Sequence, residues 1–398
     1  MERMVQVAGV AVALGLALAL INKLRKAVGE EEGASEAAAR YRSKHPERPD
    51  LYYRRWRDFA DEAVLKNRPA DASTVAITFM QFNTLADGLA ARDKERRGGF
   101  TECPLEALEW KEYRCDRVME EILRHGSYPD VVALEEVDHY YDDLLPAMAA
   151  LGYRGLYKTK PDSKCKQQSG DDSLEDGCAL FWRKDKFEET GSAEEGAVAV
   201  WYVSYEKADA DGKLLGEKAN QVAILAELRP KGCAGTVIVG CTHLMAKKKA
   251  EGERGRKHQI KQLLDLTMEK QREAAANNVV GLTSLPPVLL GMDMNAAPQE
   301  QSHKYDAEAL PAALAHPLGL RSAYAVACGG QEPAWSTWKK RGESEAKHTI
   351  DYILASPDVE VRRVLLAPDE ATVEAGRLPC FKYPSDHIAI AAEFNVPV

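Results

Sequence analysis

The chain has no C-x-x-C pair and no short Cys/His spacing of the kind that holds structural zinc, although it carries 8 cysteines. It has no G-x-G-x-x-G and no Walker A sequence, which removes the two commonest glycine-loop nucleotide cradles. It has no internal repeat at solenoid periods. It also lacks an excess of positive charge: the 398 residues carry a formal net charge of −9. Residues 1–72 hold 13 Lys/Arg against 11 Asp/Glu, so residues 73–398 hold 40 against 51, about −11. A body of that sign has no broad cationic footprint for gripping long nucleic acid, and a small or locally held anionic substrate suits it better.

At 45% hydrophobic residues, the chain can bury one large core or two ordinary ones. The cysteines, at 103, 115, 165, 178, 233, 241, 328 and 380, read as free thiols. Cys178 and Cys241 lie in apolar runs, where cysteine behaves as a small buried hydrophobe, and this suits a reducing compartment.

Three regions are distinguished. Residues 1–26 contain the uncharged run "VAGVAVALGLALALI" (7–21), followed by Lys23, Arg25 and Lys26. The run is short for a membrane span, but the basic cluster behind it keeps the C-terminal side in the cytosol. The expectation is an anchor in the endoplasmic reticulum or mitochondrial outer membrane with the rest facing the cytosol; a mitochondrial targeting sequence is the alternative. Residues 27–72 read as a charged linker with no core-forming stripe, in which 51–71 forms one amphipathic helix ending before Pro69. The aromatics Tyr52, Tyr53 and Trp56 among Arg54, Arg55 and Arg57 pack on the next domain or, less favoured, rest on a membrane surface. Residues 73–398 form the catalytic domain. Its short apolar runs outnumber its helical periods, and many follow each other with no crossover helix. Two mixed sheets packed face to face with helices outside are therefore expected, rather than a doubly wound sheet.

Four apolar runs end in ligand-capable side chains: "VVALEEVDH", "TVIVGCTHL", "PVLLGMDMN" and, leading into the last strand, "YPSDHIAI". Binding and catalytic groups concentrate where rigid strands hand over to loops, so these ends are read as one assembled site. Glu135 and Glu136 stand side by side, and strand alternation sends one of them toward the sheet's interior face, where an unpaired carboxylate is costly and a cation is a reasonable partner.

In chain order, Asn83 in "QFNTLA", Glu136 in "LEEVD", His243 in "THL", Asp293 and Asn295 in "GMDMN", Asp351 in "HTIDYI" and Asp386/His387 in "PSDH" resemble the signature set of the endonuclease/exonuclease/phosphatase superfamily. The resemblance implies a four-layer α/β sandwich over 73–398. The segments "CPLEALEWKEYRC", "DGCALFW", "NQVAI", "STWKKR" and "RLPCFKYPSDH" are similar to the deadenylase-like branch, in particular to members that remove the 2′-phosphate of NADP(H). That branch implies NADP(H) or another phosphorylated nucleotide as substrate; the 3′ end of poly(A) RNA is the alternative, and a non-enzymatic membrane-anchored adaptor the third reading.

The roles follow from phosphoester chemistry, which needs charge neutralisation, an activated water and in-line placement. Glu136 with Asn83 suits Mg²⁺, with Mn²⁺ as an alternative. Asp293 orients or deprotonates the water, and Asn295 reaches the phosphoryl oxygens. His387, held by Asp351, stabilises developing charge; Asp386 supports the metal's waters; His243 and Asn220 contact phosphate. By resemblance, Lys160, Lys247 from the loop after "THL", and Arg341 line the pocket for a second phosphate. The chain departs from the pattern at Met245, where those members have Lys, at Met292, where Gly is usual, and at Glu135, where Gln is usual.

Overall fold

The computed structural model describes residues 33–65, 73–92, 98–169, 175–188, 196–209, 212–277, 285–302 and 305–398. The anchor or targeting expectation for residues 1–26 lies outside them. Among the described residues no helix is long and apolar enough to cross a membrane.

Among the described residues the strands are, in chain order, β1 (Trp56–Asp58), β2 (Thr74–Asn83), β3 (Val131–Val137), β4 (Tyr153–Thr159), β5 (Gly177–Arg183), β6 (Ala199–Ala208), β7 (Leu214–Leu228), β8 (Val237–His243), β9 (Val288–Asp293), β10 (Arg321–Ser322), β11 (Thr337–Arg341), β12 (Ser344–His348), β13 (Asp351–Ala355), β14 (Glu360–Leu365) and β15 (Ile390–Pro397). One sheet has seven strands in the order β1-β14-β15-β2-β3-β5-β4, the other six in the order β10-β13-β9-β8-β7-β6, and β11-β12 form a separate hairpin. Both sheets are mixed: β2–β3 and β8–β9 pair parallel, and their other neighbours pair antiparallel.

The alternation of the sequence explains the layers. On β2, Phe79 joins the core between the sheets while Met80 and Phe82 face the opposite side. Ile77, Val131 and Ala133 of the first sheet meet Ile224, Val239, Leu289 and Ile353 of the second. The outer face of the first sheet is covered by helix α2 (Cys115–Leu123), through Val118, Met119 and Ile122. The outer face of the second is covered by α3 (Ala250–Asn277), through Ile260, Leu263 and Leu264. Helix, sheet, sheet, helix is the expected four-layer sandwich.

At "GMDMN" the same alternation settles which residue faces the interior. Gly291 lies against the first sheet, where a Cβ would sit 2.6 Å from Phe79 Cε1, so a side chain there would push the sheets apart. Met292 points the other way, into the outer core beneath α3. The side chain that stands where Gly is usual is therefore buried away from the cleft.

Within the described residues 33–65, the charged linker and the helix expected there are corrected. Helix α1 (Ala34–Arg42) buries Ala37, Ala38 and Tyr41 against the core under α2, a stripe too small in side-chain volume to be legible as core-forming. Across the described residues 51–65 no single amphipathic helix runs: Trp56–Asp58 is an edge strand on β14, and Glu62–Leu65 is the helical part. Tyr52 and Arg54 are buried, so the segment packs on the domain there, while Tyr53 is exposed.

Candidate active site

β2, β3, β8 and β9 all end at one rim of the sandwich, and β13 and β15 begin there. Register makes this a consequence of pairing: His243 lies opposite Asp293, and Asp293 opposite Asp351, so the last residues of β8 and β9 and the first of β13 form one row. Asn83, the last residue of β2, pairs with Glu135 across the facing sheet.

The adjacent glutamates separate as alternation requires, with one irregularity. Glu135 is fully buried between the sheets. Glu136 adopts a φ of 54°, and the β3–β5 register shifts between Leu134 and Val137, so the extra residue swings out of the ladder toward the rim. Leu85 and Asn295, at φ 59° and 54°, bend the same rim at the ends of β2 and β9. A left-handed backbone at Leu85 and Glu136 costs of order 1 kcal/mol or more each, a cost that functional rims commonly carry.

Asp293 is the centre. Its Oδ1 accepts the Asn295 backbone N–H at 2.9 Å and its Oδ2 accepts Asn83 Nδ2 at 2.9 Å. His243 Nε2 lies 3.4 Å and His387 Nε2 4.0 Å from that same Oδ2. Burial, then repulsion from Asp351, push the Asp293 carboxyl up to about 7. Glu136 adds to the same repulsion.

The two histidines are held in opposite charge states. Burial disfavours the His387 imidazolium, but Asp351, whose Oδ2 is 2.8 Å from His387 Nδ1, outweighs it and raises the group to about 9. Asp351 is itself fixed by Ser336 Oγ at 2.5 Å and Gln81 Nε2 at 3.0 Å. His243 is held well below the usual histidine range by burial, with the charges of Lys160 and His387 acting the same way. The Asn295 side-chain amide, which donates to Leu244 O at 3.1 Å, also lies 2.8 Å from His243 Nε2. The other ring nitrogen, Nδ1, faces Lys160 Nζ at 3.4 Å. The ammonium and the neutral ring beside it form a seat for an anionic oxygen.

Lys160 is tied to the buried carboxylate of Asp176, which Ser163 Oγ also contacts at 2.5 Å. Arg341 reaches Asp386 Oδ2 at 3.2 Å and lies over the Phe100 ring at 4.6 Å. Asp386, although buried, is held well below the usual carboxylate range by Lys339, His387 and Arg341. Lys339 is the functional residue the sequence reading missed: its ammonium is 2.6 Å from Asp386 Oδ2 and 3.4 Å from His387 Nε2. The signal was present in "TWKKR", since a strand that aims Arg341 at the cleft aims Lys339 there too and turns Lys340 away, toward Glu102.

Two expected contacts lie elsewhere. Asn220 spends both ends of its amide on the backbone of Asp162, donating to its carbonyl at 2.7 Å and accepting its N–H at 2.6 Å. It fixes the loop beside Lys160 rather than presenting a group to phosphate. Lys247 pairs with the exposed Glu251 at 2.6 Å, away from the row, because the loop after β8 is turned outward by Arg256, which binds the carbonyls of Met245 and Lys247 at 2.8 Å. Of the lysines in that loop, it is Lys248 whose charge helps hold His348 down, to about 4, after burial, Lys339 and His387.

Whether the rim suits a cation is answered by its charge. Glu136, Asp293 and Asp351 crowd one dry cleft, and their mutual repulsion is visible in the raised Asp293. Oxygen donors in that arrangement fit a hard divalent ion. Glu136 is the carboxylate best able to hold it, since among the described residues its carboxylate is met by the Ala86 N–H at a long 3.4 Å. Asn83 is more occupied than expected: its Oδ1 accepts the Leu85 N–H at 3.0 Å while its amide holds Asp293. A ligand set of Asp293, Asp351 and His387, whose atoms lie within 4.8 Å of one another, is already joined internally as an acid–histidine pair.

The profile of the Endonuclease/Exonuclease/phosphatase family matches residues 80–387. The chain belongs to that family. It is a hydrolase of phosphoester bonds, and the family is metal-dependent. Nocturnin of Homo sapiens is 34% identical over 322 residues, covering 80% of this chain and 65% of the human protein, so the chain spans a little under two thirds of that relative. Nocturnin of Xenopus laevis is 35% identical over 319 residues, covering 79% of this chain and 71% of that one. The solved catalytic domain of human nocturnin with a bound sulfate anion superposes with a TM-score of 0.61 at 28% identity, covering 86% of this chain and 97% of that one. ANGEL2, a 2′,3′-cyclic phosphatase, shares the fold at a TM-score of 0.60 and 19% identity, covering 87% and 99%.

Proposed function

We propose that this nocturnin-like hydrolase removes the 2′-phosphate from NADP(H) with Mg²⁺. The observation that carries the reading is the placement of cations. One base, Asp293, lies between a Lys160–His243 seat on one side and a His387–Lys339–Arg341 group on the other, in a body that is otherwise net acidic. Two compact anion seats suit a small substrate with phosphates at a fixed separation better than a long backbone, which needs an extended cationic groove. The bound sulfate in the human nocturnin domain is in keeping with such a seat.

In this mechanism Asp293, poised near neutrality, takes the proton of the attacking water, while the Asn83 amide and the Asn295 N–H keep its oxygens in place. Lys160, with the neutral His243 ring beside it, binds phosphoryl oxygens on that side of the cleft. The His387 imidazolium, locked by Asp351, opposes the negative charge that develops on the phosphoryl group and leaving oxygen. Mg²⁺ held by Glu136, when bound, supplies further charge neutralisation; Mn²⁺ is the alternative ion. Asp386 keeps Lys339 and Arg341 directed at the cleft.

The experiment offers NADP, NADPH and oligo(A) in parallel to the full chain with Mg²⁺. Release of inorganic phosphate from the dinucleotides supports the reading. Degradation of oligo(A) with the dinucleotides untouched replaces it with a 3′-to-5′ exoribonuclease. For location, residues 1–26 are proposed as a membrane anchor with the enzyme facing the cytosol. A fluorescent reporter fused to residues 1–30 should stay on an internal membrane and be accessible to protease from the cytosolic side; a soluble or matrix-imported reporter would contradict this.

A further inference from the structure

The loop that carries Asp386 and His387 is closed by one side chain. The Tyr383 hydroxyl accepts the backbone N–H of Ala389 at 2.8 Å, so a single ring spans the loop from just before Pro384 to just after Ile388. The hydroxyl is itself oriented. It donates to Glu121 Oε1 at 2.8 Å, and Arg54 Nη1 approaches the same Glu121 oxygen at 2.8 Å and the tyrosine oxygen at 3.5 Å. All three groups are buried, with the Arg54 and Glu121 side chains at 0% exposure. Tyrosine has one hydroxyl proton and two lone pairs, and this arrangement uses all of them.

Arg54 comes from the segment before β2, outside the residues that the family profile matches. That segment is fastened on both sides. Arg117 and Arg124, at the helix, take the carbonyls of Pro49 and Tyr52 at 2.8 and 2.7 Å. On the loop side Tyr52 donates its N–H to Lys382 O at 3.1 Å, its hydroxyl accepts the Glu374 N–H at 3.0 Å, and the Arg48 guanidinium lies 4.0 Å over Phe381. Beyond Tyr383 the loop feeds directly into the site: Ser385 Oγ donates to Asn83 O at 2.6 Å, and Thr337 Oγ1 to Asp386 O at 2.7 Å.

We propose that Tyr383, oriented by the buried Glu121–Arg54 pair, is a positioning residue that sets the loop bearing Asp386 and His387, and that the N-terminal strap of residues 48–54 thereby takes part in catalysis. A merely structural tyrosine would contribute packing through its ring. A positioning tyrosine acts through its hydroxyl, because only the hydroxyl reaches Ala389, Glu121 and Arg54. Small displacements of a catalytic group cost rate far more than they cost binding when the group works mainly in the transition state.

The test is Tyr383→Phe in the full chain, which keeps the ring and its contact with Phe82 at 6.0 Å and deletes the clamp. Expected is a fall in kcat of about 10- to 100-fold with KM within about threefold and folding intact by circular dichroism. Arg54→Lys, which keeps the charge and loses the planar fork, should lose kcat in the same direction but less, and it decides the matter should Tyr383→Phe fail to fold. Wild-type kcat in a folded variant, whatever its Tm, overturns the proposal, as does a change confined to KM. The wild type is the reference on whichever of NADPH or oligo(A) it turns over. A wrong substrate therefore shows in the wild type, and a wrong role for Tyr383 only in the variant.

Discussion

The two sides of the cleft use the same residue type for opposite ends. On the β13–β15 side His387 meets two carboxylates, Asp351 and Asp386, and stays charged up to about 9. On the β8 side His243 meets Lys160 and the Asn295 amide and is held neutral. Both rings are buried and both approach Asp293 Oδ2, at 4.0 and 3.4 Å. Neither exposure nor distance to the base separates them; their partners do. A histidine's charge in a dry cleft is a property of its neighbours. Here it assigns the roles: the charged ring opposes developing charge, and the neutral ring, with its lysine, seats the phosphate.

Removing the charge centre beneath both sides is the strongest perturbation. Glu136→Ala should reduce turnover by about 10³-fold or more, since a lost metal forfeits several kcal/mol of transition-state stabilisation. EDTA should silence the wild type, with recovery on added Mg²⁺ or Mn²⁺. Phosphate release is the readout, and full activity in EDTA would exclude the metal assignment.

Breaking only the charged side comes next. Asp351→Asn removes what outweighs burial at His387, so kcat should fall by about 10²- to 10⁴-fold. The pH profile carries the sign. Asp293 must lose its proton to act as base, so activity rises through about 7. His387 must keep its proton, so activity falls as pH rises through about 9. In Asp351→Asn the alkaline fall should move to lower pH, toward the ordinary histidine value near 6.5. An unmoved alkaline limb would show that His387 does not set it.

The comparison also explains what could be read from sequence. The row His243, Asp293, Asp351 was legible because each residue closes or opens an apolar run, and strand pairing must bring such ends to one rim. The charge states were not, because they depend on Lys339, Gln81 and Ser336, which become neighbours only after folding. The segment 33–65 was misread for a related reason. Ala37, Ala38 and Arg54 carry no apolar periodicity, and Arg54 looks solvent-facing until Glu121 and Tyr383 arrive from distant parts of the chain. Asn220 was expected to contact phosphate, but its amide goes to Asp162, a loop contact that no local pattern announces.

Breaking the neutral side should cost less. Lys160→Ala leaves a phosphoryl oxygen with one donor fewer, a charge-assisted hydrogen bond worth roughly 1.5–3 kcal/mol, or about 10- to 150-fold in kcat/KM for NADPH. Because Lys160 helps keep His243 neutral, the variant should also let the ring gain a proton more readily, a shift visible in its imidazole NMR signal. A loss of the same size on oligo(A) would argue against the dinucleotide reading; RNA binding spread over many contacts should be affected weakly and fall with salt.

The smallest effect tests whether the cations of the cleft are the ones that matter. Lys247 stands in the basic loop after β8 and was expected to line the phosphate pocket, yet its ammonium pairs with exposed Glu251, and its backbone carbonyl is held by Arg256. A solvated pair of this kind contributes little. Lys247→Ala should therefore leave kcat/KM for NADPH within about twofold of wild type at moderate salt. Lys248→Ala is the matched control, because the Lys248 charge is felt at His348, which Lys339 and His387 also face. Its loss should exceed that of Lys247→Ala. If Lys247→Ala instead matches the loss of Lys160→Ala, the loop swings inward over bound substrate, and the neutral side of the cleft extends across the loop after β8.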